Sequence, residues 1–453
     1  MEQNTMRKQT AKETAQELFS FIEKSPSCFH VIENMKKELE KEGYEQLLES
    51  CDWKIEHGGK YYVVRNGSSL IALRIPKKSD ADAQFPAGFQ IMASHSDAPT
   101  FKIKEHPEME AEGQYVKLNV EKYGGMLCAP WFDRPLSVAG RLLVKRDGAI
   151  WPVFVNVNRD LVMIPNLAIH MNREANDGLK YNAQKDMLPL YGDETAKGTF
   201  FKQIGAAAGV TEEEIVGHDL FLYNRMPGSI WGADEEFISS AKLDDLQCAF
   251  ASLKAFLTAE DGASIPVHCV FDNEEVGSGT RQGAASTFLQ DTLLRVCDSM
   301  GISTSVYRRM LASSFMLSAD NAHGVHPNYP EKACPTNRPH LNGGIVIKFS
   351  ANQKYTTDGV AAAVFKEICS LAGVPYQVYL NRSDVAGGST LGNISTTQVA
   401  LKTVDIGLAQ LAMHSPYETA GVLDTPYMIQ AARKFFESTV LEEKDGSFRV
   451  ITK

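Results

Sequence analysis

The sequence predicts an α/β fold interrupted by a β-rich segment, and three observations lead to this prediction. The chain has 453 residues, more than one ordinary hydrophobic core supports, so we expect two domains. Strand-like and helix-like runs alternate before about residue 99 and after about residue 236. Between them, short alternating segments lie among Gly, Pro and Asn turns. We therefore expect one discontinuous α/β domain (residues 1–99 and 236–453) and an inserted β-rich domain (residues 100–235).

The N-terminal segment predicts two helices and a hairpin. Thr10 and Glu13 fit a capping box, so we expect the first helix to begin near Thr10. After Ser25-Pro26-Ser27 apolar residues recur every four positions, and Gly43 predicts the end of this second helix. Asn66-Gly67 lies between two apolar runs and predicts a hairpin turn.

Short segments define the elements that follow. The strands expected in the insertion are Tyr115–Val120, Leu142–Lys145 and Val153–Val157. Beyond residue 241 the pattern predicts two strands, Val267–Phe271 and Phe315–Ser318, and one helix, Ala361–Leu371. This return to alternating strands and helices supports the two-part organisation.

Composition excludes several classes of function. The net charge is −10, and no cluster of Lys and Arg forms a basic stripe, which argues against nucleic acid and anionic membranes as partners. The apolar runs are much shorter than the ~20 residues of a membrane span. Residues 1–10 are polar and lack the apolar core of a signal peptide, so we expect a cytoplasmic location. The eight cysteines include no C-x-x-C pair, which predicts reduced, mostly buried thiols.

Four apolar, strand-like runs end in side chains that can bind metal. They are Ile91–His95, Val270–Glu275, Leu317–Asp320 and Leu411–His414. In open α/β sheets, ligand sites gather at the carboxyl ends of strands, so these residues can converge although they are distant in sequence. Two imidazoles with several carboxylates suit zinc, or cobalt or manganese in its place.

Two pairs of residues strengthen this hypothesis. Taken singly, a histidine is more often an ordinary core or surface residue than a ligand. Glu274-Glu275, however, follows an apolar strand directly, where adjacent carboxylates repel and are costly to bury without a cation. His95 with Asp97 fits an arrangement in which a carboxylate orients a metal-binding imidazole. The repeated pattern therefore predicts a metal site.

Eight stretches of the chain carry a resemblance to a known family. They are Ser25–His30, Ser94–Pro99, Trp131–Arg134, Ile164–His170, Lys242–Asp245, Asp272–Ser278, Ser318–His323 and Ala412–Ser415. Together they resemble the aspartyl aminopeptidases, a family of dinuclear zinc exopeptidases, over essentially the whole chain. The fold that the resemblance implies is a zinc-exopeptidase-like proteolytic domain, with a mixed sheet flanked by helices, and an inserted β-rich dimerisation domain.

The resemblance also implies a role for each site residue and two divalent cations per subunit, zinc first and cobalt or manganese as alternatives. Five residues would bind metal: Asp244 as the bridge between both ions, His95 and Asp320 on one ion, and Glu275 and His414 on the other. Glu274 would be the general base, and Asp97 would hold His95. The substrates would be peptides, and the assembly a homo-oligomer, a dodecamer built from dimers.

Three further residues have weaker support. By resemblance, His170 would reach the active site of a neighbouring subunit, although a surface or interface histidine is the alternative. His323 would lie beside the metals or in the substrate pocket. Lys348 would pair with an acidic substrate side chain, and a solvated lysine is the alternative.

The substrate preference stays open at this point. Asp245 stands where the resembled family commonly has Asn, and Ser96 and Ala98 also depart from its usual pattern. A preference for Asp or Glu at the substrate N-terminus is expected, and a neutral or broad aminopeptidase is the alternative. A related deacylase or carboxypeptidase, or an inactive assembly scaffold, are further alternatives.

Overall fold

The computed structural model describes residues 2–77 and 86–452, with side chains described from residue 8 onward. Its α-helices are α1 (Glu2–Glu23), α2 (Cys28–Lys41), α3 (Ala183–Asp186), α4 (Phe200–Ala208), α5 (Leu243–Thr258), α6 (Phe288–Ser299), α7 (Thr304–Ala312), α8 (Gly359–Ala372), α9 (Leu391–Ser395) and α10 (Asp424–Phe436). Among these residues, no helix is both long enough and apolar enough to cross a membrane.

The start of α1 differs from the sequence prediction. The helix begins at Glu2 rather than near Thr10. Residues 2–9 contain no Gly or Pro and include the good helix formers Glu, Gln, Met, Lys and Arg, so nothing ends the helix before Thr10. The second helix is confirmed, because Ser27 is the extended residue that precedes α2 and Gly43 follows its end with a positive φ of 80°.

The strands, in chain order, are β1 (Glu45–Leu47), β2 (Lys60–Arg65), β3 (Ser69–Arg74), β4 (Phe89–His95), β5 (Thr100–Ala111), β6 (Tyr115–Tyr123), β7 (Leu136–Arg146), β8 (Ala149–Asn156), β9 (Leu190–Asp193), β10 (Ile215–Asn224), β11 (Ser229–Trp231), β12 (Phe237–Ser240), β13 (Ile265–Phe271), β14 (Phe315–Ala319), β15 (Ala322–His323), β16 (Ile345–Lys348), β17 (Tyr376–Tyr379), β18 (Lys402–Gly407), β19 (Ala409–Leu411), β20 (Glu418–Gly421), β21 (Ser438–Glu442) and β22 (Phe448–Thr452).

A nine-stranded mixed sheet forms the centre of the molecule, in the order β1-β2-β3-β13-β4-β14-β18-β16-β17. The expected hairpin at Asn66-Gly67 joins β2 and β3, and both turn residues have positive φ, as this turn requires. In the middle of the sheet, β13, β4, β14 and β18 run parallel to one another. Their carboxyl ends therefore lie at one edge of the sheet.

Helices cover both faces of this sheet. Residues of α1, α2, α5, α8 and α10 share one buried cluster with the strands, and residues of α6, α7 and α9 share the opposite cluster. The strands β3, β4, β13 and β14 are buried along their whole length, as strands covered on both faces are. The prediction of a mixed α/β fold is confirmed.

A separate antiparallel sheet contains the order β8-β7-β10-β5-β6-β9 and is here called the six-stranded sheet. It has its own core, which includes Phe101, Trp131 and Phe200. All its strands lie between residues 100 and 224, inside the predicted insertion. A third sheet, β11-β12-β20-β19-β15, contains five strands, and β21 pairs with β22. The domain boundaries at 99/100 and 235/236 stay a prediction; strand β11, before residue 235, pairs with β12 beyond it.

Candidate metal centre

The candidate site lies at the carboxyl ends of three neighbouring parallel strands. His95 is the last residue of β4. Asp320 follows the end of β14 directly, and Glu274-Glu275 form a short turn just beyond β13. Because β13, β4 and β14 are adjacent, these side chains reach the same space, as three of the four apolar runs predicted. The fourth run, Leu411–His414, is not a strand, because β19 ends at Leu411 and lies in the five-stranded sheet.

Two further acidic and histidine residues come from other elements. Asp244 lies at the start of α5, where the backbone departs from helical geometry and the Asp244–Asp245 peptide bond is cis. His414 lies in the connection between β19 and β20 of the five-stranded sheet. Its φ is +66°, and its backbone N–H donates to Glu418 Oε1 at 2.7 Å. The structure thus brings together all five predicted ligands.

His95, Asp244 and Asp320 form one potential metal-binding group, here called the buried group. His95 Nε2 lies 3.6 Å from Asp244 Oδ1 and 4.0 Å from Asp320 Oδ1. The other ring nitrogen, Nδ1, lies 3.1 Å from the carbonyl oxygen of Asp97, which can only accept a hydrogen bond. Nδ1 therefore carries the proton, and Nε2 presents its lone pair to the carboxylates.

Asp244, Glu275 and His414 form the second group, here called the open group. His414 Nε2 lies 3.5 Å from Asp244 Oδ2 and 3.4 Å from Glu275 Oε2. Its Nδ1 donates to the backbone carbonyl of Gly125, which again leaves Nε2 free to bind a cation. Asp244 belongs to both groups, with one carboxylate oxygen facing each histidine.

Asp97 connects His95 to the Glu274-Glu275 turn. Its Oδ1 lies 3.4 Å from His95 Nδ1 and accepts the backbone N–H of Glu274 at 3.2 Å. Its Oδ2 accepts the N–H of Glu275 at 3.2 Å and the hydroxyl of Tyr123 at 2.6 Å. Glu274 is close enough to His95 and Glu275 to form a third possible ligand group with them. It therefore lies within reach of both groups.

The chemistry of the site fits divalent cations. The buried oxygens Asp244 Oδ1 and Glu275 Oε1 accept no hydrogen bond from the described residues. Burial raises the pKa of Glu274 to about 8 and that of Asp320 to about 6, and it raises the pKa of Glu275 well above the usual range. Several carboxylates packed together out of water repel one another unless cations neutralise them. The donor set of imidazoles and carboxylates is one that zinc accepts.

The three remaining predicted residues lie in different surroundings. His170 is exposed in a surface loop of the six-stranded region. His323 ends β15 at the edge of the site, with its ring 6.0 Å from that of Tyr379. Lys348 is buried at the end of β16, and its Nζ donates to the backbone carbonyl of Asp320 at 2.7 Å and lies 3.5 Å from Asp320 Oδ2.

Two residues near the ligands were missed by the sequence analysis. Glu418 is 1% exposed, and its carboxylate accepts the backbone N–H groups of both Asp244 and His414, at 2.9 and 2.7 Å. Tyr123 donates to Asp97 from the end of β6. In the sequence, Glu418 follows the candidate ligand His414 by four residues, and this spacing was a usable signal. No pattern in the sequence linked Tyr123 to residues so distant along the chain.

Comparison with known proteins identifies the family. Residues 21–436 match the family described as aminopeptidase I zinc metalloprotease (M18). This chain belongs to that family. It is therefore a metallo-aminopeptidase, a hydrolase of a zinc metalloprotease family, and the resemblance to this family is confirmed.

Similar proteins and structures agree with this assignment. A probable M18 family aminopeptidase 2 of Clostridium acetobutylicum is 46% identical over 430 residues, which cover 94% of this chain and 98% of the relative. One of Pseudomonas aeruginosa is 39% identical and covers 95% and 99%. In the cryo-EM structure of the Ape4 and Nbr1 complex, a 35% identical chain superposes with a TM-score of 0.91, covering 95% of this chain and 86% of that one. The mApe1 dodecamer of S. cerevisiae is 29% identical with a TM-score of 0.81, covering 93% and 96%.

Proposed function

We propose that this M18 aminopeptidase removes one residue at a time from the N-terminus of peptides, with two divalent cations per subunit and a preference for Asp or Glu. The observation that carries the proposal is the position of Asp244, which belongs to both ligand groups. A carboxylate with one oxygen toward each histidine suits two cations held close together. The proposed ligands are Asp244 for both ions and, in pairs, His95 with Asp320 and Glu275 with His414.

The cations would supply an activated water at neutral pH and polarise the carbonyl of the scissile peptide bond. The protein residues supply the rest of the chemistry. Glu274 accepts the proton of the attacking water and passes it to the leaving amine, a step worth roughly 10²–10⁴-fold in rate. Its backbone N–H is held by Asp97, so the turn keeps Glu274 beside the ligand groups.

Zinc is the proposed physiological cation, because the family is one of zinc metalloproteases and the donors suit zinc. Cobalt and manganese accept the same donors and are the alternatives. The deacylase, carboxypeptidase and scaffold alternatives have no support from the family, whose members are aminopeptidases.

The proposed acidic preference depends on positive charge near the site. Lys348 and His323 are the sequence-predicted substrate residues, and Lys348 is the nearest permanent cation to Asp320. Its ammonium already donates to the carbonyls of Asp320 and Asn321, at 2.7 and 3.3 Å. The contribution we propose for Lys348 is therefore a positive potential in the pocket, with His323 at the edge of the site making direct contact with substrate.

We also propose a homo-oligomer, a dodecamer built from dimers; the similar S. cerevisiae mApe1 is a dodecamer. The loop around His170 supports this part of the proposal, since Leu167, Ile169 and Met171 are all exposed beside it. Exposed apolar side chains of this kind mark contact surfaces. In the proposed assembly His170 approaches a neighbouring subunit's site. A cytoplasmic location stays a proposal.

The test combines a substrate panel with the Glu274→Gln variant. Purified enzyme loaded with zinc, cobalt or manganese is assayed on Asp-, Glu-, Leu- and Lys-anilides, and bound metal is counted by atomic emission. We expect two ions per chain and the highest kcat/KM on the acidic substrates. Glu274→Gln should keep both ions and lose at least about 100-fold in kcat on every substrate, because the amide cannot accept the water's proton.

Exposed Glu121, on β6, provides the matched control, and Glu121→Gln should keep full activity. Full turnover by Glu274→Gln would remove Glu274 as the base. One ion per chain would contradict the two-metal site. Equal rates on Leu- and Asp-anilides would replace the acidic preference with a broad one.

A further inference from the structure

The end of strand β6 brings the six-stranded sheet into contact with the candidate metal centre. Residues 123–127, here called the β6 exit, contact the open group and Asp97. Leu127 donates its backbone N–H to the carbonyl of His414 at 3.1 Å, and the Gly125 carbonyl accepts from the His414 ring. This part of the chain provides no predicted ligand, yet it contacts the residues that hold the ligands in place.

Tyr123, at the start of the β6 exit, makes two side-chain hydrogen bonds beside the ligand groups. Its hydroxyl donates to Asp97 Oδ2 at 2.6 Å and accepts from Asn273 Nδ2 at 2.9 Å. Asp97 in turn lies against the ring of His95 and binds the backbone N–H groups of the Glu274-Glu275 turn. Asn273 begins that turn with a positive φ of 64°. The Tyr123 hydroxyl thus bonds to both residues that position the turn, Asp97 and Asn273.

The ring of Tyr123 is itself fixed by the six-stranded sheet. It packs edge to face on Phe221 of β10, with centroids 5.8 Å apart. Tyr123 is partly buried, and burial together with the neighbouring carboxylates raises the pKa of its hydroxyl, so it keeps its proton and acts as a donor. A short hydrogen bond from a fixed neutral donor to a carboxylate is strong and directional.

Gly124 makes the second close approach. Its φ is +76°, and a Cβ atom at this position would lie 3.1 Å from Glu275 Cβ and 3.4 Å from the Glu275 carbonyl oxygen. Only glycine combines this backbone conformation with such close contact. The β6 exit is therefore packed tightly against the open group as well as bonded to Asp97.

We propose that Tyr123 is a positioning residue through which the six-stranded sheet sets the geometry of both ligand groups. This inference rests on the proposed two-metal function. The hydroxyl fixes Asp97, which orients His95 and the Glu274-Glu275 turn, while the adjoining glycines hold Glu275 and His414 from the other side. The six-stranded sheet then controls metal affinity and turnover without contributing a ligand of its own.

The experiment measures cobalt binding as well as activity, using the full-length enzyme. Metal-free protein is titrated with Co²⁺, followed by its visible absorption, and kcat and KM are measured after loading. Loss of a partner that orients a metal ligand costs about 10–100-fold in metal affinity or activity. We expect Tyr123→Phe to weaken Co²⁺ binding by this factor, to lower kcat more than KM rises, and to recover partly in excess metal. Gly124→Ala should weaken binding by displacing Glu275.

Tyr115→Phe is the matched control, because Tyr115 lies at the other end of the same strand and is 51% exposed. It should bind Co²⁺ and turn over like the wild type. Unchanged Co²⁺ affinity and kcat in Tyr123→Phe would overturn the inference, as would lower thermal stability with unchanged affinity. If the wild type itself fails to bind two ions, the proposed function fails, and the inference fails with it.

Discussion

The two ligand groups share Asp244 but differ in exposure. In the buried group the His95 side chain is 1% exposed, whereas the His414 side chain of the open group is 32% exposed. A closed group suits a cation that organises the site, and a group with an accessible side leaves room for substrate. We infer that the substrate reaches the reacting atoms from the His414 side.

The groups also differ in how their histidines are held. His95 ends a central strand, and its backbone N–H donates to Asp245 while Asp97 holds its ring. His414 lies in a connection between strands, held by Gly125 of the β6 exit and by Glu418. His95 is thus held from α5 and from the residue that follows its strand, whereas His414 is held from its own sheet and from the β6 exit.

The largest expected effect comes from removing each histidine. Either His95→Ala or His414→Ala removes a proposed ligand of a cation that would supply several kcal/mol of transition-state stabilisation, so activity should fall by about 10³-fold. The two variants should differ in stability. His95→Ala leaves a cavity beside buried carboxylates and should lower Tm clearly, whereas His414→Ala removes a partly exposed ring and should change it little.

These variants are compared by calorimetry and by metal content. His57→Ala, an exposed histidine distant from the site, is the control and should match the wild type in all measurements. Equal losses of Tm in His95→Ala and His414→Ala would remove the distinction between a buried and an open group.

A smaller effect is expected from Glu418→Gln. Glu418 uses both carboxylate oxygens, one on the N–H of Asp244 and one on that of His414. A glutamine keeps one acceptor and turns its NH₂ toward the other N–H, so one of these two bonds is lost. We expect a 10–100-fold loss in metal affinity or activity, because a partner that orients the ligands is lost.

Cobalt titration resolves which ion is affected. If only one ion binds more weakly and the other is unchanged, Glu418 acts mainly on the backbone of the open group. Exposed Glu260→Gln is the control of the same chemistry. Wild-type affinity for both ions in Glu418→Gln would show that the two N–H bonds do not set the ligand geometry.

Local pattern was enough to predict three of the four strand ends that were expected to carry acidic or histidine residues. His95, Asp320 and the Glu274-Glu275 turn follow apolar runs that became adjacent parallel strands. The supports of these residues could not be predicted in this way. Tyr123 approaches Asp97 because it pairs with Thr100, at the start of β5 just after Asp97, and the register of this pairing leaves no periodic trace in the sequence. The metal roles of the ligands stay predictions.

The start of α1 shows a different limit. A capping box at Thr10 is a local signal for a helix start, and the structure overrides it with a helix from Glu2. The preceding residues have high helix propensity, and the buried side chains of Ala11, Ala15 and Leu18 fix the rest of the helix on the core. The position of a helix end depends on small free-energy differences. The choice of the face that packs on the core depends on the much larger free energy of burying apolar side chains.

The smallest predicted effect concerns the pH dependence of the free energy of unfolding, and it comes from a core residue outside the ligand groups. His268 lies in β13, the strand that leads to the open group, and it is fully buried with Nδ1 2.7 Å from Ser252 Oγ. Burial lowers the pKa of His268 to about 3, below its value of about 6.5 in an unfolded chain. The unfolded chain therefore binds a proton that the folded one excludes. His268 therefore leaves the free energy of unfolding unchanged above about pH 6.5 and lowers it as the pH falls from 6.5 toward 3.

At pH 5 this difference corresponds to about 2 kcal/mol of the free energy of unfolding. Denaturant unfolding at pH 5 and pH 7, with chelator present so that metal release does not contribute, measures it. His268→Gln does not titrate in this range, so its stability should depend less on pH than that of the wild type by this amount. Exposed His57→Gln is the control and should retain the wild-type pH dependence. An unchanged slope in His268→Gln would show that His268 is not a source of the acid sensitivity of the metal-free enzyme.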